Sequence, residues 1–236
     1  MAVGEWRDRY DMVRRIVMTM LLAVVATVIR AQDEPEYRLE IGAGAGVVNY
    51  LGDYNASIFG ELQPMGAVMA KYKANPHMAV ALTAGIGQLK GSSDKANTWY
   101  PEGERYEFSK NLIDINLRFE YNFWAYGNGR EYRGARKLAP FIALGVGSAI
   151  HGDPGKGFAV SLPIGAGVKY KLAERVNLTA EWCVHFALSD LLDGKEDPYG
   201  IRSSGLFKNT DGYSVLQLAV TYDLWAKCKT CHNDRD

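Results

Sequence analysis

Residues 112–124 read Leu-Ile-Asp-Ile-Asn-Leu-Arg-Phe-Glu-Tyr-Asn-Phe-Trp. Ile113, Ile115, Leu117, Phe119, Tyr121 and Phe123 share one parity, and Asp114, Asn116, Arg118, Glu120 and Asn122 share the other. Side chains alternate faces along an extended chain, so this stretch is a strand with one wholly apolar and one wholly polar face. A helix would scatter the same residues around its circumference. Two architectures accept such a strand. In a soluble barrel or sandwich the apolar face meets a core and the polar face meets water. In an outer-membrane barrel the apolar face meets lipid and the polar face lines the lumen.

The remainder of the chain selects between them. The same alternation recurs over 37–48, 64–74, 77–89, 138–149, 158–171, 175–187 and 212–225, with 106–124 as the fourth strand in order. Most of these segments reach the ~9–11 residues that a tilted strand needs to cross a bilayer. The connections 49–63, 90–105, 150–157 and 188–211 fall on one side; 75–76, 125–137 and 172–174 fall on the other. Long loops outside and short turns inside is the outer-membrane pattern, and only 125–137 departs from it. Aromatic residues are expected in two girdles at the headgroup level. Tyr37, Tyr72, Phe123, Trp124, Phe141, Tyr170, Tyr222 and Trp225 are assigned to the periplasmic rim. Tyr50, Tyr54, Tyr106, Phe108, Phe158, Phe186 and Tyr213 are assigned to the other. The expected fold is therefore all-β: an eight-stranded antiparallel transmembrane barrel of the outer membrane with a filled polar lumen and both mature termini in the periplasm.

The first 31 residues read differently. Arg7, Arg9, Arg14 and Arg15 precede an uncharged run over 16–29 that ends near Ala31, the form of a secretory signal peptide. The expected organisation is a signal over 1–31, a barrel over 32–225 and a periplasmic tail over 226–236. Past residue 31 no apolar run approaches the ~18 residues of a spanning helix. Removing five basic and three acidic residues with the signal, from 27 of each, leaves 22 and 24. No basic stripe is concentrated anywhere, which excludes a nucleic-acid partner.

Eight strands enclose only enough space for side chains, so an open pore is not expected. Arg38, Glu40, Lys71, Lys73, Asp114, Arg118, Glu120, Lys169 and Glu181 are assigned to the lumen. Buried charges of both signs must pair, which makes a structural ion network the expectation. Inward Gly and Ala residues leave room for the long side chains opposite. His185, with Glu181 and Ser189, is the one grouping that could support acyl transfer. That chemistry acts on lipid at the outer face, whereas His185 points inward, so no catalytic residue and no enzymatic activity are expected. The tail carries Cys228-Lys229-Thr230-Cys231-His232, the C-x-x-C-H form of haem attachment. A haem needs an enclosing apolar domain and a second axial ligand, and the tail supplies neither. No cofactor or metal is expected; the two cysteines are left to a local disulfide, an intermolecular one, or free thiols.

Four segments carry a resemblance. Asn49-Tyr50-Leu51-Gly52-Asp53 follows the Gly-rich first strand, and Asn75-Pro76 forms the first tight turn. Leu162-Pro163-Ile164-Gly165-Ala166-Gly167-Val168-Lys169-Tyr170 fills the sixth strand, and Ser189-Asp190-Leu191-Leu192-Asp193 follows the seventh. In this order they resemble the PorG family, the small outer-membrane barrel component of the type IX secretion system, over residues 37–231. Leu191 stands where that family has an aromatic. The resemblance implies a non-enzymatic barrel that joins periplasmic ring proteins, similar to PorK and PorN, to the outer membrane. With it, the partner-binding residues become Arg130, Arg133, Arg136 and Lys137 of the basic connection and Cys228 and Cys231 of the tail. The competing classes are a lipid-modifying enzyme barrel and an adhesin-like or membrane-stabilising barrel.

Overall fold

A computed structural model describes residues 37–51, 60–92, 107–127, 135–152, 157–187 and 212–226. They lie within one compact unit, Pro35–Asp236. The strands are β1 (Tyr37–Leu51), β2 (Gln63–Asn75), β3 (Met78–Ser92), β4 (Glu107–Asn122), β5 (Leu138–Gly152), β6 (Gly157–Lys171), β7 (Val176–Ala187) and β8 (Gly212–Ala226). Each pairs antiparallel with the next, and β8 returns to β1 to close a barrel. The alternation locates all eight strands. β1, β3 and β5 run three residues past the ends expected at 48, 89 and 149, reaching Leu51, Ser92 and Gly152, because ladder hydrogen bonding does not depend on the alternation.

The register sets the shape. From Leu39 the pairing passes through Tyr72, Val80, Phe119, Leu144, Ile164, Val184 and Ser214 and re-enters β1 at Asn49. The circuit is displaced by ten residues (49 minus 39). With a rise of ~3.3 Å per residue and a strand spacing of ~4.8 Å, eight strands then tilt by about 40° to the barrel axis. Tyr37 pairs with Ala226, so the barrel chain begins and ends at one rim. That rim also carries the connections after β2, β4 and β6 and is called the terminus side below; the opposite rim is the loop side.

Outward positions form an apolar band. In β4, Ile113, Ile115, Leu117, Phe119 and Tyr121 are exposed while Asp114, Asn116, Arg118 and Glu120 are buried, an unbroken alternation from Glu107 to Asn122. Ile86, Leu144, Val146, Leu216, Leu218 and Val220 are among the most exposed large apolar residues on the other strands. In water such a surface would drive aggregation; in a bilayer it is the contact surface. No helix among the described residues is long and apolar enough to cross a membrane, so crossing rests on the strands.

The lumen differs from expectation in its loop-side half. Tyr50, Phe108 and Tyr213, assigned above to a girdle, point inward and are buried. They join Val48, Met65, Leu89, Leu112 and Val215 in an apolar cluster inside the barrel, with Tyr50 set edge-on to Phe108 at 5.0 Å between ring centroids. Phe141 is likewise inside. Parity already carries this: Tyr50 shares the parity of Glu40, Phe108 that of Asp114, and Phe141 that of Ala143. Closeness to a strand end does not override the pleat at these rings. Phe158 and Phe186 do face outward; Tyr54 and Tyr106 lie outside the described residues.

Candidate functional site

Three layers of polar side chains fill the rest of the lumen. Nearest the loop side, Asp114 accepts hydrogen bonds from the Tyr213 hydroxyl at 2.7 Å and the Asn116 amide at 2.7 Å. His185 stacks on Tyr213 at 4.4 Å and brings Nδ1 to 3.7 Å from the Asp114 carboxylate. At mid-depth Arg118 pairs with Glu181 and donates to Thr83 Oγ1 at 3.2 Å, while the Gln217 amide donates to Glu181 at 3.2 Å. Glu120 lies between Lys71 at 3.1 Å and Lys169 at 2.5 Å. Both ammonium groups lie over the ring of Phe141, at 5.8 and 4.6 Å. Nearest the terminus side, Lys73 bridges Glu40 at 2.9 Å and Asp223 at 2.5 Å, and Lys171 pairs with Asp223. Thr221 donates to Glu40, and the Asn177 amide to Asp223 at 3.1 Å.

Such pairing is what charges withdrawn from water require. Glycines make the space. A Cβ on Gly145, the register partner of Arg118, would sit 2.1 Å from the Leu117 carbonyl oxygen and 2.9 Å from Arg118 Cγ. One on Gly167 would sit 2.7 Å from the Phe141 ring, which lies across it. Large side chains therefore lie flat across the strand beside them.

Two members of the Glu181, His185 and Ser189 grouping are described. Glu181 is engaged by Arg118, so the carboxylate beside His185 is Asp114, and His185 itself is only 2% exposed. Ser189 lies outside the described residues. Among the described residues no cluster of His, Cys, Asp and Glu could hold a metal ion. Arg38 also departs from expectation: it is exposed, and Tyr37 turns inward instead. The Tyr37 ring takes the ammonium of Lys171 at 5.8 Å and the guanidinium of Arg175 at 5.3 Å, and its hydroxyl donates to Glu174 at 3.1 Å. On β8 nearby, Trp225 has a left-handed φ of 56° and is exposed although it shares the parity of inward Asp223. Strand parity breaks at this corner on both strands.

The most consequential residue at the terminus side is Tyr126, which periodicity cannot find because it sits in a connection. Its amide donates to the Pro76 carbonyl at 3.0 Å, and Asn122 donates to the same carbonyl at 3.0 Å, pinning the start of the β4–β5 connection onto the β2–β3 turn. The side chain then folds into the barrel mouth, where it is 5% exposed. Three lysine ammonium groups, of Lys73, Lys169 and Lys171, lie 5.9–6.0 Å from its ring. Burial, then the carboxylates of Glu40 and Asp223, push the phenol well above its ordinary pKa; it stays protonated and donates to Asn177 at 2.8 Å. A ring face attracts cations and a hydroxyl finishes the polar network, so one tyrosine caps the mouth.

Of the six residues expected to bind a partner, Arg136 and Lys137 are described, and both are exposed. The Arg136 guanidinium lies over Trp124 at 4.7 Å, and its amide donates to Ala125 at 2.8 Å. Arg130, Arg133, Cys228 and Cys231 lie outside the described residues, as do the proposed signal 1–31 and the tail beyond Ala226.

Known proteins share this architecture. The sequence matches the family described as outer membrane protein beta-barrel domain over residues 18–222. No curated protein matches it significantly. Among solved structures, Neisserial surface protein A superposes with a TM-score of 0.50 at 12% identity, covering 79% of this chain and 97% of that one. The N-terminal barrel domain of Pseudomonas aeruginosa OprF gives 0.45 at 17% identity, covering 81% and 100%. Pseudomonas aeruginosa OprG gives 0.47 at 13% identity, covering 83% and 99%. With its closed eight-stranded barrel, apolar outer band and polar interior, the chain belongs to the outer membrane protein beta-barrel domain family and is a protein of the outer membrane.

Proposed function

We propose that this barrel is a non-enzymatic subunit of a type IX protein secretion machine, a PorG-like anchor that fastens a periplasmic ring of PorK/PorN-like proteins to the outer membrane. The observation that carries this reading is how the charges divide. Lumen cations and anions are spent on one another, and the mouth is capped by Tyr126, which supports neither a conduit nor a reactive lumen. Arg136 and Lys137 instead stand exposed on the connection at the terminus side, beside Arg130 and Arg133 in sequence. In this reading that side is periplasmic, and the arginines take the carboxylates of an acidic ring subunit through paired hydrogen bonds. Cys228 or Cys231 then bridges to the subunit in an oxidising compartment.

Three measurements test it. An impermeant thiol reagent on intact cells should label a cysteine placed in 90–105 or 188–211 and leave one in 125–137 unlabelled; the reverse overturns the orientation. Arg130→Glu, Arg133→Glu and Arg136→Glu together should abolish co-purification of ring proteins from the native host while the barrel stays assembled. Non-reducing electrophoresis should show a higher-mass band that Cys228→Ser with Cys231→Ser removes. Normal ring binding and normal secretion by the triple variant would sink the docking role.

A further inference from the structure

Among the described residues, Asp114 is the buried lumen carboxylate that has no lysine or arginine beside it; Glu40, Glu120, Glu181 and Asp223 each have one. Its charge rests on neutral donors, the Tyr213 hydroxyl on Oδ1 and the Asn116 amide on Oδ2, each at 2.7 Å. A carboxylate only accepts, so the Asn116 nitrogen must face it, which leaves Asn116 Oδ1 to find a partner elsewhere. That oxygen, Ser161 Oγ and His185 Nδ1 are all buried and have no hydrogen-bond partner in the protein. The three side chains are at most 3% exposed, so bulk water does not satisfy them.

They belong to one stretch of the wall. Asn116 on β4, Gly147 on β5 and Ser161 on β6 are register partners in a row. Gly147 puts no side chain between the other two: a Cβ there would stand 2.9 Å from Asn116 Cβ and 2.8 Å from Ser161 Oγ. His185 on β7 pairs with Pro163, the next inward residue of β6 after Ser161. Ala149, the register partner of Asp114, and the buried Ala159 and Ala187 beside it carry only methyl groups, so the wall is set back here. His185 Nδ1 stands 3.7 Å from Asp114 Oδ1, too far for a direct hydrogen bond and close enough for one water to touch both. A bare nitrogen lone pair at that place would face the carboxylate's own, which puts the imidazole proton on Nδ1.

We infer that this wall is a built site for one internal water, which accepts the protons of His185 Nδ1 and Ser161 Oγ and donates its own to Asp114 Oδ1 and Asn116 Oδ1. That arrangement saturates the water and gives each unpartnered atom the bond it lacks. A metal cation in the same place would need acceptors on every side and would drive the imidazole proton to Nε2, so the tautomer separates the two occupants. The water ties β4 to β6 and β7 through the lumen, and the site is independent of the ring-anchoring reading.

Solution NMR of the full chain, 15N-labelled at histidine in deuterated detergent micelles, reads the site. The His185 ring nitrogens should show the Nδ1–H tautomer, and Hδ1 should give a cross-peak to a water that tumbles with the barrel. Ser161→Ala removes one of the water's partners and should weaken that cross-peak severalfold. Ser148→Ala, an exposed serine on the neighbouring strand β5, should leave it unchanged. Replacing sodium by choline in the buffer should also leave it unchanged. Heat-modifiable electrophoresis confirms that each variant is a closed barrel. An Nε2–H tautomer, no cross-peak in the native chain, an undiminished one in Ser161→Ala, a lost one in Ser148→Ala, or a signal that depends on sodium would overturn the proposal.

Discussion

Glu120→Ala is the sharpest test of the lumen. Glu120 is fully buried and is the carboxylate at 3.1 Å from Lys71 and 2.5 Å from Lys169, whose own exposures are 1% and 3%. Breaking a buried pair by removing one partner costs about 3–5 kcal/mol, because an uncompensated charge remains out of water. Here one substitution strands two ammonium groups that also face each other across the vacancy. The nearest remaining carboxylate, Glu40, is already held by Lys73 and Thr221. The expected loss is therefore at the top of that range, about 5 kcal/mol. Urea unfolding of the barrel in detergent micelles, followed by tryptophan fluorescence, measures it as a lower midpoint at unchanged slope. A triple variant sharpens the logic. Glu120→Leu with Lys71→Met and Lys169→Leu removes the charges together and should be close to neutral or more stable. A loss below about 1 kcal/mol for Glu120→Ala, the scale of a solvated pair, would refute the reasoning and mean that water reaches the network.

Three further outcomes follow from the geometry. Leu117→Arg places a charge on the outer band and should cost ~2–4 kcal/mol, seen as loss of heat-modifiable barrel, whereas Asn116→Lys beside Asp114 should assemble better; equal losses would mean the faces are misassigned. Gly145→Val should prevent closure or cost at least about 3 kcal/mol in urea unfolding, since even a Cβ meets the Leu117 carbonyl at 2.1 Å. Tyr126→Ala should cost ~1–3 kcal/mol through the lost contacts with three ammonium groups, and in the folded barrel amine-reactive reagents should now modify Lys73 and Lys171, which the native protein shields.

How far the sequence alone reaches is set by physics. Strand number, order and most inward or outward assignments follow from a period of two, because lipid and lumen impose opposite demands on neighbouring residues. Parity fails at Tyr37, Arg38 and Trp225, where a left-handed residue ends the pleat. It holds at Tyr50, Phe108, Phe141 and Tyr213, all buried, although an aromatic near a strand end suits a girdle as well as a core. The partner of His185 was not legible. Asp114 lies 71 residues away in sequence (185 minus 114) and meets it only through closure. Tyr126 is invisible for a different reason: a connection has no periodicity, and only its burial and its hydroxyl's bond to Asn177 show that it turns inward.

The charge pairs of the lumen mostly skip over strands. Lys71 on β2 meets Glu120 on β4, and Lys169 on β6 meets the same carboxylate from the other side. Arg118 on β4 meets Glu181 on β7, and Lys73 on β2 and Lys171 on β6 meet Asp223 on β8. A growing open sheet brings only neighbours together, so until the last strand docks on the first most of these ions lack their partners. A partly formed sheet exposing them to hydrocarbon is strongly disfavoured. Assembly is consequently forced toward an all-or-none event in which β8 must arrive before insertion can finish. A chain truncated before Asp223 should accumulate outside the bilayer rather than as a seven-stranded intermediate, and the interior ions then act as a proofreading step on barrel biogenesis.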